Sequence, residues 1–283
     1  MRDVLVVGGG LIGTAIAWRA AQKRARVTLV DAGNLGGEAS PAGAGMLSPE
    51  SESIGDLGVE SLKMYPAFVE ELRAETNFSI DFRVCGCQVI GGEFYANDAL
   101  VDPADLLRAL RCACELHHVQ VIRQRMDSVN ATHYDAVVIA AGAWSSRIKI
   151  GHALPEVIPV KGHLVGFQLK PGLLGPYLRR EHFYVLQRSS GFLIAGSNEE
   201  QSGFDTGINE VVCEEIQCGA AELLPVLAGR EPDRKWIGFR PYSPGGPHIG
   251  RLSDTNIWLA YGHHRNGILL TPLTAAKIAA ELS

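Results

Sequence analysis

Near the start of the chain, Val4-Leu5-Val6-Val7 runs straight into Gly8-Gly9-Gly10-Leu11-Ile12-Gly13, and Asp31 follows Gly13 by 18 residues. Glycine at positions 8, 10 and 13 has three tasks around an anionic ligand. Gly8 makes a tight turn, Gly10 lets a pyrophosphate approach the backbone, and Gly13 lets helix and strand pack closely. Leu11 and Ile12, between the glycines, are expected contacts of the same ligand, and the first amides and dipole of the helix that follows hold the negative charge. Asp31, with Ala32 after it, closes the next strand and is expected to accept hydrogen bonds from the hydroxyls of an adenosine ribose. An acid there favours NAD or FAD over NADP. Strand, glycine turn, helix and acid occur together, which makes this fingerprint stronger than its glycines alone.

Three later segments suit a long, flat ligand. Residues 39–46 read Ala-Ser-Pro-Ala-Gly-Ala-Gly-Met, small side chains that permit close backbone contact. Ala39, Ser40, Ala44, Gly45 and Met46 are the expected contacts. The apolar run 135–141 ends in Ala141-Gly142-Ala143-Trp144, and Gly262-His263-His264-Arg265-Asn266-Gly267-Ile268 separates the last strand from the last helix. Met126 is expected at the same ligand. His263 and His264 are adjacent, so their side chains diverge, and no cysteine or carboxylate lies close in sequence; no metal is expected.

Holding these segments together calls for a parallel sheet. Residues 3–7 read as a buried strand, 14–24 as a helix with a basic end, and 26–31 as a second strand, which makes a βαβ unit. Residues 59–75 read as a helix apart from Pro66, 85–90 as a strand, and 105–116 as a helix opened by Asp102-Pro103. The apolar run 135–141 has the composition of a central parallel strand. From residue 158 the pattern changes to short runs at 163–169, 182–187 and 192–195 separated by Gly, Pro or Ser, as in an antiparallel sheet. A helix over about 209–223, a run at 236–241, a strand at 257–260 and a final helix opened by Thr271-Pro272 complete the reading. The ends are α/β and the middle is β-rich, so one domain is inserted into another. Segments 1–50, 103–150 and 245–283 are assigned to the dinucleotide domain, and 51–102 and 151–244 to a substrate domain.

Composition narrows the function classes. The 283 residues carry 26 basic and 31 acidic side chains, a net charge of −5. Nucleic-acid binders show a basic excess or stripe instead. No apolar run approaches the roughly 18 residues of a membrane span. Met1-Arg2-Asp3 leads directly into the first strand, so no leader is expected, and the expected location is cytoplasmic. Cys85 and Cys87 are one residue apart, as are Cys112 and Cys114, while Cys213 and Cys218 stand alone. None has Cys-x-x-Cys spacing, and all six read as buried, reduced thiols. Cys85 and Cys87 would share one face of a strand. His117-His118 reads as a solvated helix end.

Taken in order, the blocks 8–13, 39–46, 138–145, 159–162 (Pro-Val-Lys-Gly), 238–241 (Gly-Phe-Arg-Pro), 248–251 (His-Ile-Gly-Arg) and 262–270 resemble the FAD-dependent D-amino-acid oxidase family from end to end. The resemblance implies an α/β fold class: a Rossmann-like FAD-binding domain with an interleaved substrate domain built on a mainly antiparallel β-sheet. The implied cofactor is FAD, held non-covalently, since no cysteine follows Cys218. The implied reaction is oxidative deamination of glycine, sarcosine or a small D-amino acid, with dioxygen as acceptor and an imine or oxo acid plus hydrogen peroxide as products. The chain is shorter than typical members, between Val89 and Asp102 and again near 130–134, which thins the substrate domain.

In the family pattern Arg240 is the carboxylate-binding arginine, suited to it by a planar fork that matches a carboxylate. Tyr184 matches a tyrosine over the substrate, with His182 two residues before it on the same face. Arg265 matches a position near substrate and flavin, where its charge favours an anionic substrate or reduced flavin. Arg240, Tyr184 and Arg265 are thus the expected catalytic residues, and Met46 shapes the pocket. A dehydrogenase with another electron acceptor, and a flavin-binding protein without turnover, are the alternatives. Homo-oligomer formation is left open.

Overall fold

The computed structural model describes residues 1–33, 37–50, 52 and 54–282. Its first sheet has six strands in the order His248–Arg251, Ile257–Tyr261, Ala136–Ile139, Asp3–Val7, Arg26–Asp31 and Gln120–Arg123. All neighbours run parallel except the first two, which are antiparallel. The chain therefore leaves the first strand on one side and returns on the other, and the order reverses between Asp3–Val7 and Ala136–Ile139. Side chains of the central strand alternate between two cores. Val4 and Val6 pack with Trp18, Leu106 and Ile278 of flanking helices, while Leu5 and Val7 pack with Ile139, Ile148 and Tyr261. Burial on both faces is the reason for its continuous apolar sequence.

Four helices cover one face. Leu11–Gln22, with Gly10 as its N-cap, starts three residues earlier than its sequence suggests, so the helix begins inside the glycine motif. Pro103–Leu116 is capped by Asp102, whose carboxylate accepts Ala104 N–H at 2.8 Å. Asp56–Thr76 runs through Pro66. An interior proline costs a helix roughly 3 kcal/mol, but Pro66 is exposed while Tyr65, Phe68, Val69 and Leu72 bury the opposite face. Packing of that face holds the helix together. Thr271–Glu281 is the last helix, with Pro272 in its first turn.

The second sheet has seven strands: Arg234–Tyr242, Ile158–Gln168, Phe192–Gly196, Phe183–Gln187, Tyr177–Arg180, Cys87–Val89 and Phe94–Tyr95. Every pair is antiparallel except Tyr177–Arg180 with Cys87–Val89. Helix Glu210–Leu223 packs Cys213, Ile216 and Ala220 on one face of it, against Val165, Phe167 and Val185. A small sheet of Met46–Leu47, Ala99–Val101 and Phe82–Val84 joins the two halves. The fold is thus mixed α/β, with a mainly antiparallel sheet set against a Rossmann-like one.

Several local expectations change. Gly86, at φ +75°, breaks the run 85–90, and the strand is only Cys87–Val89. Cys85 and Cys87 consequently do not share a strand face. All six cysteines are free thiols, but they are not uniformly buried, since Cys218 is exposed and Cys85 and Cys112 are half-buried. His117 caps its helix and sits 2.5 Å from Glu75, so that helix end is paired as well as solvated.

Candidate active site

A cavity of about 830 Å³ opens where the strand order reverses, at the carboxyl ends of Asp3–Val7 and Ala136–Ile139. Open α/β sheets bind ligands at such switch points. Gly8 stands there at φ +111°, and a Cβ on it would collide with the carbonyl of Ala140. Only glycine meets both demands. Gly10, Leu11 and Ile12 line the cavity beside it, and Leu11 N–H donates to Ser40 Oγ at 3.0 Å. Asp31 accepts Gly9 N–H at 2.7 Å and Gly33 N–H at 2.9 Å, so its carboxylate is oriented by backbone amides at the cavity wall, next to Ala32. Gly13 does not reach the cavity; it packs under Gly8 and keeps helix and strand close.

The middle of the cavity is walled by Ala39, Ser40, Ala44, Gly45 and Met46 on one side and by Ala141, Gly142 and Trp144 on another, with Met126 near Asp31. Trp144 stacks on Phe204 at 4.7 Å between ring centroids. Buried Arg188 reaches from the seven-stranded sheet to the carbonyls of Ala44 and of Val101, the latter at 2.7 Å. This bond pattern ties the small-residue segment to the covering sheet. His263, His264, Arg265, Asn266, Gly267 and Ile268 close the far wall, while Gly262 at φ +83° turns the chain from behind without lining it. Tyr65 donates to the Ile268 carbonyl at 2.5 Å and Ser61 to that of Leu269 at 2.6 Å, so helix Asp56–Thr76 holds this loop in place.

The two adjacent histidines diverge. His263 is buried, its Nε2 is 3.1 Å from Thr274 Oγ1, and its Nδ1 has no partner among the described residues. Burial pulls its pKa down to about 3, with His248 adding to the effect, so the ring is neutral. His264 instead lies 3.3 Å from Glu199. Burial also holds His264 below its ordinary value, against the opposing pull of Glu199.

At the other end of the cavity, strands Ile158–Gln168 and Arg234–Tyr242 lie side by side, with Gly162 opposite Gly238 and Val160 opposite Arg240. A Cβ on Gly162 would occupy the space of the Arg240 guanidinium, which explains a glycine in the middle of a long strand. Arg240 Nη1 donates to the Asn198 carbonyl and Nη2 to Ser197 Oγ, both at 2.9 Å. Burial lowers its pKa from the ordinary value, and Tyr184 and Glu199 act against that. Tyr184 is buried, and burial pushes its phenol above the usual range, so it remains a protonated donor. His182 lines the same wall.

The rim is ionic. Arg265 Nε is 2.8 Å from Glu199, its Nη1 is 3.2 Å from Glu52, and Arg179 is 2.8 Å from the other oxygen of Glu52. Arg265 is therefore the middle of a charge ladder and not a lone cation. Burial works against ionising Glu199, but the hydrogen bond and charge of Arg265 outweigh it and hold the carboxyl below its ordinary value. The sequence signals singled out Arg240, Tyr184 and Arg265 but not Glu52, Arg179, Ser197, Asn198 or Glu199. These five belong to no spaced motif, and only the fold brings them together.

The cradle fits a dinucleotide with an attached ring system, in the glycine turn at Gly8, the oriented Asp31 carboxylate and a His263 Nδ1 that has no partner among the described residues. Comparison with known proteins defines the class. A family model described as FAD dependent oxidoreductase matches residues 3–93 and 87–282, and the chain belongs to that family. Its cofactor is FAD, and the molecule is an FAD-dependent oxidoreductase.

Among individual relatives, the chain is 31% identical to glycine oxidase of Pseudomonas aeruginosa, over 99% of this chain and 94% of that protein. It is 32% identical to the bifunctional protein ThiO/ThiG of Synechocystis sp., over 98% of this chain and 51% of that protein, so it spans about half of the latter's length. The crystal structure of glycine oxidase from Geobacillus kaustophilus superposes with a TM-score of 0.91 at 27% identity, covering 100% of this chain and 95% of that one. The alignment with the Pseudomonas protein runs over 344 positions against 283 residues here, so at least 61 positions have no counterpart in this chain. Among the described residues, no helix is long and apolar enough to cross a membrane.

Proposed function

We propose that the chain oxidises glycine, sarcosine or a small D-amino acid, with dioxygen as the electron acceptor. The observation that carries this reading is a partly buried arginine, Arg240, at the end of a cavity continuous with the dinucleotide cradle. Bound FAD would supply the acceptor for a hydride from carbon as the CH–NH group loses its second proton from nitrogen, and would let dioxygen take up the two electrons and two protons as peroxide.

The protein's own contribution is binding, orientation and a water-poor wall. Among the described residues, two of the five N–H donors of Arg240 are bonded within the protein, so others remain for a carboxylate. The planar fork then fixes the carboxylate's direction, and with it the direction of Cα. Tyr184 offers a phenol proton beside the same group. No side chain of the site need remove a proton from carbon if the Cα hydrogen leaves as hydride, with the electron pair of the C–H bond. The substrate amine must be neutral, so the rate rises with pH through the amine's titration.

The charged rim beside Arg240 supports an ionic substrate. The likeness to glycine oxidases and to a ThiO/ThiG protein supports a place in thiamine biosynthesis, and the free thiols support a reducing, cytoplasmic setting. The test is the visible spectrum of the purified holoprotein under anaerobic conditions. Bleaching by glycine, sarcosine or D-alanine, followed by peroxide on admitting oxygen, is the expected result. A yellow protein that none of these amines bleaches would overturn the reading. Bleaching without peroxide would instead identify a dehydrogenase.

A further inference from the structure

We propose that His163 is a positioning residue for Arg240, acting through Asn198; the proposal rests on the reading of Arg240 as the substrate carboxylate's anchor. His163 follows Gly162 on strand Ile158–Gln168 and is wholly buried. Its Nε2 lies 3.0 Å from the backbone N–H of Asn209, which can only donate. Nε2 is therefore the unprotonated nitrogen, and Nδ1 carries the ring proton. Nδ1 is 3.2 Å from Asn198 Oδ1, which also accepts the His163 backbone N–H at 2.8 Å.

Asn198 is fixed at its other end too. Its Nδ2 donates to Glu200 Oε1 at 2.8 Å, and the backbone of Glu200 exchanges two hydrogen bonds of 2.9 Å with Lys161. Buried Lys161 is in turn paired with Asp205 at 2.7 Å. With its side chain held, Asn198 presents its carbonyl to Arg240 Nη1, and the preceding Ser197 presents Oγ to Nη2. The aim of the guanidinium is thus set by a two-residue segment whose anchor is a neutral imidazole on the adjacent strand. Of the residues behind Arg240, His163, Lys161, Glu200 and Asp205 do not line the cavity, so their effect is on where Arg240 points.

The two ring nitrogens have separable tasks. Nε2 holds Asn209, the cap of helix Glu210–Leu223, while Nδ1 holds Asn198. An asparagine side chain places its amide near the Nδ1 position and a glutamine places its amide near Nε2. His163→Asn retains a donor for Asn198, and its KM for sarcosine is expected to stay within about twofold of the parent. His163→Gln retains an acceptor for Asn209 but not the donor to Asn198, and KM is expected to rise about tenfold, the usual scale for one lost buried hydrogen bond. In both variants kcat at saturation and FAD content stay at the parent level.

Binding of glycolate, a carboxylate without an amine, read from the flavin absorbance shift of the holoprotein, should weaken by the same factor in His163→Gln. Asn198→Ala, which needs no change in the buried strand, should raise KM about tenfold as well and carries the test if the histidine variants do not fold. Arg240→Ala serves as the reference. A large KM effect there, with His163→Gln and Asn198→Ala unchanged, or with Asn and Gln at 163 equally impaired, overturns the proposal alone. No effect from Arg240→Ala overturns the proposal together with the reading of the site.

Discussion

The two ends of the cavity are built on opposite plans. The dinucleotide end is made largely of backbone and small side chains, with Gly8, Gly10, Leu11 and Ile12 from one short stretch, Asp31 at the next strand end, and small residues of 39–45 and 140–143 beside them. The substrate end is made of large charged and aromatic side chains: Arg240, Tyr184, Arg265, Glu52 and Glu199 come from five separate segments. Backbone recognition of a pyrophosphate needs only a local turn and a helix start. Recognition of a small amino acid needs side chains aimed from several directions at one point, which no local stretch can supply. The difference predicts that damage at one end will remove the cofactor, and damage at the other will remove the substrate while the cofactor stays.

The largest expected effect is at Gly8. Gly8→Val combines a positive φ with a collision at Ala140, costs about 2–4 kcal/mol, and should give protein that purifies without bound FAD. Yellow Gly8→Val protein would contradict the argument from this turn. Next comes Arg240→Ala, where loss of a charged partner for the carboxylate should raise KM roughly 100-fold or more. FAD content measured on the same sample should be unchanged, and a colourless variant would break the separation of the two ends.

A smaller effect concerns pH. His263 is held at about 3 in the folded chain against an ordinary value of 6.5. The unfolded chain takes up the proton first, so this residue's contribution to stability is complete above about pH 6.5 and is lost as pH falls toward 3. His263→Gln removes that titration. Its melting temperature should fall less steeply between pH 7 and pH 4 than the parent's, and parallel curves would contradict the assignment. The smallest effect is at the rim. Glu199 and Arg265 are both partly exposed, and such pairs contribute about 1 kcal/mol or less. Glu199→Gln should change KM by no more than about threefold, and the change should shrink in high salt.

Legibility in the sequence followed the same division. The strands Asp3–Val7, Arg26–Asp31 and Ala136–Ile139 are readable because burial on both faces demands an unbroken apolar run. Helix Pro103–Leu116 is readable from its Asp-Pro start. By contrast, Gln120–Arg123 is mostly exposed and has no apolar pattern; it is a strand because Arg26–Asp31 offers it a free edge. Tyr177–Arg180 likewise exists through pairing on both sides, with Cys87–Val89 and Phe183–Gln187. Edge and pairing effects are tertiary, and local propensity does not carry them.

At the site, Arg240 was legible as a candidate, but what holds it was not. Its partners Asn198 and Ser197 are polar residues in an ordinary-looking stretch, and Gly162 stands out only as the end of a block, with nothing to show that it makes room for the guanidinium. Arg265 illustrates the converse. Its place in the chain marked it as a cation for the ligand, while the fold gives it two carboxylate neighbours, Glu52 and Glu199.

By itself the sequence determined the βαβ start, the glycine turn and the acid at the end of the next strand, because those depend on contacts within about 30 residues of chain. Only the tertiary structure decided how the second sheet lies over the first. With that came the aim of Arg240, the neutrality of His263 and the pairing of Arg265, since each depends on desolvation and on partners far away along the chain.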